Sequence, residues 1–386
     1  MKSDLPNGFE TISLQEGRHW VGRVIMCVDL NAFYPSCEEL RDPTLKGKPH
    51  AVIMTDQKEG ITKGVVSSCS YEARKHGVRS AMSLSKAKSL CPDLILRPVD
   101  IRYYSKLSQQ VVNILAEFAD VLEQASIDEA FLDCTLKVGS DKPEAYGKKI
   151  KQSVRDRCGL LCSVGVTSTK ATAKIASDYL KPDGLTVVYP DSLAAFLEPL
   201  EVSRVAGIGP KTQEALKEMR IETLGHLATA DVQKLIEQFG KNGYWMWNVA
   251  NGTEDELVVP REDHVSLSTE YTLDNFTRDK TKVVNFLYDL VDEIYQRAKR
   301  REYLFKTVGV KIARTDFSIE SRETSFESFQ SSREIISSVI EKLVDKFALT
   351  YDKPAIRKVG LKISHLIREK EMQRKYAVQK TLLDYI

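Results

Sequence analysis

The sequence predicts a multidomain protein of the α/β (α+β) class. Three observations carry this. The chain has 386 residues and an apolar fraction of 42%. Short apolar runs with strand character alternate with helical segments from about residue 20 to 185. The alternation returns after residue 263, once a helical stretch has passed. A chain of this length exceeds one ordinary core, so two to four domains are expected.

In chain order, MKSDLPNGFETISLQEGRHW lacks the apolar core of a signal peptide, and no apolar run is long enough to span a membrane. A cytoplasmic protein with a polar lead over residues 1–19 is expected. VIMCV (24–28) and HAVIM (50–54) read as strands. Residues 104–121 carry apolar side chains at 107, 111, 114, 115 and 118, the spacing of an amphipathic helix packing on a sheet. Ala125 to Ile127 has strand character. LLCSVGV is a strand, 168–179 a helix, KPDG a turn and LTVVY a strand.

Residues 186–252 read as small and all-helical, and the charged stretch around Pro260 as a linker. Beyond it, VSLSTEYTL is a strand, 281–300 a helix, FKTVGVKIAR and SIESRETSFE a hairpin, 333–347 a helix and IRKVGLKISHL a strand. That βαββαβ order predicts a four-stranded sheet backed by two helices. Residues 308, 310, 312 and 359, 361, 363 alternate as its apolar face. Thr307, Gly309, Lys311, Lys358, Gly360 and Lys362 fall on the other, where amides and lysines can follow a phosphate chain.

Net charge is only +2, so basic strips such as Arg297–Lys306 and Ile356–Lys370 matter more than the sum. Seven cysteines, without a C-x-x-C pair, point to buried reduced thiols. Six histidines without metal-ligand spacing argue against zinc.

Two carboxylate clusters carry the chemistry: Asp29 in VIMCVDLNAFY, and Asp128-Glu129 in QASIDEAFLD. Three acids on neighbouring strands form a pocket that is costly unless cations fill it, and magnesium suits such oxygen ligands. An acidic pair after an apolar run also occurs at exposed strand ends, so the surrounding motifs decide. VAGIGPK (205–211) before TQEALKEM reads as a helix-hairpin-helix. Gly207 and Gly209 allow positive φ, so N–H groups can face a phosphate, and Lys211 adds charge. A plain glycine turn would use the same residues; the h-G-h-G-x-K pattern favours DNA backbone. Tyr71 and Arg74, three apart, share a face if helical and could clamp a triphosphate. Lys170 and Lys174 lie one helical turn apart. Either pair could equally be ordinary surface.

VDLNAFYPSCEE, VVSSCSYEARKHGVRSAM, ASIDEAFLD, GVTSTKATAKIASDYLKPDG and VAGIGPKT stand in order at compatible separations. Together they resemble the Y-family translesion DNA polymerases, most closely the polymerase IV/kappa branch, over about residues 20–366. The resemblance implies a right-hand polymerase: palm (20–32 and 99–185), fingers (33–98), thumb with helix-hairpin-helix (186–252), linker (253–262), little finger (263–366) and tail (367–386). It implies that Asp29, Asp128, Glu129 and the Leu30 carbonyl hold two Mg²⁺, and that Tyr71, Arg74 and Lys174 bind the triphosphate of a deoxynucleotide. Tyr34 falls at the steric-gate position, and Ser67 and Ser68 above the nascent base pair. Gly207, Gly209, Lys211, Lys311, Arg357, Lys358 and Lys362 would contact primer-template DNA.

At the C-terminus, Gln379, Leu382, Tyr385 and Ile386 fit Q-x-x-h-x-x-a-h and resemble a sliding-clamp-binding peptide, with an aliphatic residue where a second aromatic is usual. A monomeric, template-directed, low-fidelity polymerase is the expectation. The alternatives are a non-catalytic clamp-bound scaffold and a structure-specific nuclease. The second leaves Tyr34, Tyr71 and Arg74 unused.

Overall fold

The computed structural model describes residues 11–14, 20–54, 64–139, 142–260 and 264–373. By contacts it separates into two units, Met1–Arg261 and Glu262–Ile386.

In the first unit, β1 (Thr11–Leu14) precedes β2 (Ile25–Leu30), all six residues of which are buried. Then come α1 (Phe33–Arg41), β3 (His50–Met54), β4 (Val65–Cys69), α2 (Tyr71–Lys75), α3 (Leu84–Leu90), β5 (Ile95–Pro98) and α4 (Ile101–Phe118). A hairpin of β6 (Val121–Gln124) and β7 (Glu129–Asp133) leads to α5 (Thr135–Val138), α6 (Pro143–Cys158), β8 (Cys162–Thr167), α7 (Lys170–Tyr179) and β9 (Leu185–Val188). The principal sheet has the order β1-β9-β8-β2-β7-β6, with β2 antiparallel to both neighbours. The polar lead therefore supplies a strand, pairing parallel with β9. A smaller sheet, β4-β3-β5, has its own core around Ile53, Val66, Val78 and Leu94.

Both faces of β2 are covered, which explains its unbroken apolar run. Met26 and Val28 face Val111, Leu115 and Ile150, whereas Ile25 and Cys27 meet Ala173 of α7. Gly165 on β8 makes that second contact possible: a Cβ there would lie 2.1 Å from the Ala173 carbonyl oxygen. No side chain other than hydrogen lets α7 sit so close.

Helices α8 (Leu193–Leu197), α9 (Pro210–Glu218), α10 (Leu224–Ala228), α11 (Val232–Phe239) and α12 (Lys241–Ala250) enclose a separate core around Leu216, Leu224, Leu235 and Met246. One bridge, Glu201 to Thr223, interrupts the helical character of this segment. The following stretch is pinned back on the sheet. Lys170 pairs with Glu123 at 2.8 Å and Glu256 at 2.7 Å, and the Val259 N–H donates to Glu123 at 3.1 Å.

The second unit runs β10 (Ser266–Thr277), α13 (Lys280–Arg300), β11 (Tyr303–Arg314), β12 (Ile319–Gln330), α14 (Arg333–Val344), β13 (Ile356–Ser364) and β14 (Ile367–Arg368). Its strand order is β10-β13-β11-β12, as the βαββαβ pattern implies, with β14 added on β11. The predicted alternation holds: Val308, Val310, Ile312, Val359, Leu361 and Ile363 are core. Near its start, the His264 N–H donates to the Tyr303 hydroxyl at 3.0 Å.

Three local expectations need correction. Ala125 to Ile127 is not strand but the turn of the β6–β7 hairpin, closed by the N–H groups of Ala125 and Ser126 on the Glu129 carbonyl at 3.0 and 3.1 Å. The helix expected over 104–121 occupies 101–118, because Asp100 caps it, accepting the Tyr103 N–H at 3.1 Å, and Val121 already pairs in β6. The four-stranded sheet carries a fifth short strand, β14. No helix among the described residues is long and apolar enough to cross a membrane.

Candidate active site

The site forms where β2 ends between β7 and β8. Asp29 registers with Glu129 on one side and Ser163 on the other, so two acids from distant segments become cross-strand neighbours. Asp128 is the last residue of the hairpin turn. Its carbonyl accepts the Leu30 N–H at 2.8 Å, and its carboxylate accepts the Ser126 hydroxyl at 2.6 Å.

Helix α7 lies over this edge. The Lys174 ammonium pairs with Asp29 at 2.5 Å and with Glu129, and reaches Asp178 at 3.5 Å. Lys181, just beyond the helix, pairs with Asp29 at 2.6 Å and Asp178 at 2.7 Å. Burial raises the Asp29 carboxyl, but the charges of Lys174 and Lys181 outweigh it and leave Asp29 below its ordinary range. Burial also raises Glu129, and there Lys174 does not compensate, with the Asp29 charge adding to the upward push. One ammonium cannot fully satisfy two adjacent carboxylates.

Asn31 ties this corner together. Its amide nitrogen donates to Ser163 at 2.9 Å, and its amide oxygen accepts the Asp183 N–H at 2.8 Å, drawing the 181–184 turn to the end of β2. Tyr71 hydrogen-bonds to Asn31 and feels the charges of Arg74 and Lys181. The Arg74 guanidinium stacks over the Tyr71 ring at 4.9 Å, so the pair does share one face. Both sit on α2, which Ser70 caps by accepting the Ala73 N–H at 3.2 Å. Ser67 and Ser68 precede it on β4, with Ser67 the extra residue of a bulge opposite Val52–Ile53. Tyr34 on α1 is half-buried, stacked on Tyr104 at 4.5 Å between centroids. The Tyr104 hydroxyl in turn donates to Glu38 at 2.8 Å. Burial, then the nearby Asp128 charge, pushes the Tyr34 hydroxyl up, which places this ring beside the acids.

Among the described residues no three or more acidic, histidine or cysteine side chains are gathered as a ready-made metal site. The donor chemistry nevertheless fits a hard divalent cation: two opposed carboxylates with a third next to them, all oxygen. The Lys174 ammonium between Asp29 and Glu129 stands where positive charge is demanded.

Residues 28–178 match the impB/mucB/samB family, 264–376 its C-terminal domain, and 190–220 its helix-hairpin-helix motif. The DNA polymerase IV of Methanoculleus marisnigri is 39% identical over 344 residues, 89% of this chain and 94% of that protein. The chain belongs to the Y-family DNA polymerases. DNA polymerase IV 2 of Methanosarcina mazei is similar at 38% identity over 91% of this chain and 94% of its own length. A solved Y-family polymerase chimera of Dbh and Dpo4 superposes with a TM-score of 0.82 at 29% identity, covering 90% of this chain and all of that one. An insertion ternary complex of Dbh polymerase gives a TM-score of 0.64 at 28% identity, with the same coverage. The enzyme is thus a DNA-directed DNA polymerase of a fold that works with divalent metal ions.

Two residues that the structure brings to this candidate site were not singled out in the sequence, Lys181 and Asn31. Lys181 lies two residues beyond the end of α7, in the KPDG segment read only as a turn. In the helix-hairpin-helix, Gly207 has φ of +106° with the Trp245 ring against it, but Gly209 has φ of −78°. Gly209 therefore does not use positive φ. It caps α9 with open space over its α-carbon, and Lys211 is exposed on the first turn. The motif's first helix is a 3₁₀ turn, Val202–Arg204.

In the second unit Lys311 and Lys358 share one partner, Glu270, at 2.6 and 2.9 Å. Lys362 is exposed on the same face. Arg357 is the extra residue of a bulge, since Ile356 registers with Arg314 and Lys358 with Ala313. Its guanidinium is re-aimed over the Phe317 ring at 5.0 Å. Gln379, Leu382, Tyr385 and Ile386 lie outside the described residues.

Proposed function

We propose that this polymerase performs low-fidelity, template-directed translesion synthesis. It would use Asp29, Asp128, Glu129 and the Leu30 carbonyl as ligands for two magnesium ions, and Tyr71, Arg74, Lys174 and Lys181 as the triphosphate clamp. The observation that carries this reading is the Asp29–Glu129 register with two lysines already drawn onto it. Bound among these carboxylates, magnesium supplies Lewis-acid polarisation of phosphoryl oxygens and lowers the pKa of the primer 3′-hydroxyl.

The rest is the work of the chain's own side chains. Lys174 and Lys181 turn from Asp29 and Glu129 to the triphosphate, where they neutralise charge developing on the departing pyrophosphate. Arg74 supplies a planar fork and Tyr71 a single donor. Asn31 holds the Lys181 turn against β2, so that the clamp and the acids move as one body. Tyr34, braced by Tyr104, excludes a 2′-hydroxyl. Ser67 and Ser68 present small side chains to the nascent pair, leaving room for a distorted template base. The 3′-oxygen bonds to the α-phosphorus as the bond to pyrophosphate breaks, and positioning supplies most of the acceleration.

Palm, fingers, thumb, linker, little finger and tail keep the boundaries read from sequence. Primer-template DNA is held by Gly207, Gly209 and Lys211 in the thumb and by Lys311, Arg357, Lys358 and Lys362 in the little finger. The protein acts as a cytoplasmic monomer tethered to a sliding clamp by Gln379, Leu382, Tyr385 and Ile386.

Primer extension on a template with an abasic site, with Mg²⁺ and four deoxynucleotides, tests the reading beside an Asp29→Ala/Glu129→Ala control. Extension through or opposite the lesion by the wild type alone supports it. Copying of undamaged template with arrest at the lesion removes the translesion part. No extension on either template, with DNA still bound, replaces it with the scaffold reading.

A further inference from the structure

The sheet face assigned to DNA carries its own anion. Glu270 on β10 registers with Gly360 on β13, and Gly360 registers in turn with Lys311 on β11. Lys358 stands two residues from Gly360 along β13 and so on the same face. A Cβ at Gly360 would come within 3.0 Å of the Glu270 side chain. The missing side chain is therefore the channel through which Glu270 lies across the strand. One carboxylate oxygen accepts from Lys311 at 2.6 Å and the other from Lys358 at 2.9 Å. Those two hydrogen bonds, Lys311 first, hold the carboxyl below its usual range. The group borders a recess of about 250 Å³ that also includes Lys311, Glu323 and Lys362.

We propose that Glu270 is a resident counter-charge, competing with the DNA backbone for Lys311 and Lys358 and so setting how tightly this face grips primer-template. The proposal rests on the assignment of this face to DNA. One carboxylate against two ammoniums leaves a net single positive charge rather than two. The three side chains are 30–41% exposed, so solvent weakens the pairing enough for a phosphate to displace it. Each ammonium has three donors and can pass from carboxylate to phosphate without a bare intermediate. A polymerase must release every phosphate it holds as it advances by one nucleotide. An anion fixed to the sheet takes the lysines back at each release and keeps that step shallow.

The test measures binding of the full-length protein to primer-template duplex by fluorescence anisotropy over a salt series. Glu270→Gln, which keeps the shape and removes the charge, is expected to bind about threefold to fivefold more tightly at moderate salt. Its log–log salt slope should be steeper by about one. It should also add more nucleotides per binding event. Unchanged or weaker binding by a variant that melts like wild type overturns the proposal. Lys311→Ala/Lys358→Ala separates the two levels. If that double variant binds like wild type, the face does not meet DNA, and assignment and proposal fall together. If it binds weakly while Glu270→Gln stays at wild-type affinity, the proposal falls alone. In the triple variant the gain should vanish, and a gain that persists overturns competition for these two lysines.

Discussion

At the residue scale the site is an arrangement of charges that none of its members would adopt alone. Asp29 faces Lys174 and Lys181 together, which is why it stays ionised despite burial, whereas Glu129 does not enjoy the same surplus. Lys181→Ala should therefore raise KM for the deoxynucleotide about tenfold to a hundredfold, the value of one charge-assisted hydrogen bond, with little effect on primer-template affinity. Steady-state kinetics with DNA saturating checks it, and an unchanged KM would take Lys181 out of the clamp. Tyr34→Ala should admit ribonucleotides, with the ratio of kcat/KM for the two sugars as readout. Unaltered selectivity would move the gate elsewhere. Asp128→Ala should abolish nucleotide addition while primer-template still binds. The carboxylates were legible because they gather where β2 ends and β7 begins, each in a recognisable motif. Lys181 was not, because its role depends on Asn31 pulling the following turn back across the sheet, a contact spanning 152 positions that no local pattern encodes.

At the element scale, α7 and the strand beneath it depend on one absent side chain. Gly165→Ala would drive a methyl into the Ala173 carbonyl oxygen and the Ser177 amide, forcing the helix outward and its lysines away from Asp29 and Glu129. Overpacking of this kind costs about 1–3 kcal/mol, and here it should also lower kcat. Denaturant unfolding beside single-turnover rates would separate the two effects. Rates that fall no further than stability predicts would make Gly165 purely structural. Strands and long helices were readable from periodicity because burial imposes it. The shared basic face of β11 and β13 in the second unit followed from alternation, but the bulge at Arg357 did not, since an extra residue leaves the composition of a strand unchanged. Likewise the turn at Ala125–Ile127 reads as strand because its apolar residue, Ile127, packs against the core from within the hairpin.

At the scale of the whole molecule the cysteines report on packing. Six are buried and Cys158 is half-buried, and burial pushes several thiols up, Cys162 to about 12. A raised thiol pKa means less reactive thiolate at neutral pH, with reactivity recovering only as pH rises toward that value. Thiol titration of the native enzyme at neutral pH should find at most one fast-reacting group, and all seven in denaturant. More than one fast thiol would show that a core opens readily. Removing residues 379–386 should spare basal synthesis and abolish stimulation by a sliding clamp. Equal stimulation would demote the tail.

The anchoring of Val259 to Glu123 has a consequence for reach. The first unit keeps hold of the chain up to Val259, and the second takes hold at His264. Five residue steps extend to no more than about 18 Å. If both units contact primer-template as proposed, a tether that short would hold the second at millimolar effective concentration near a duplex bound by the first, and the two grips would reinforce one another. Lengthening it with flexible residues would dilute that advantage while leaving each grip intact.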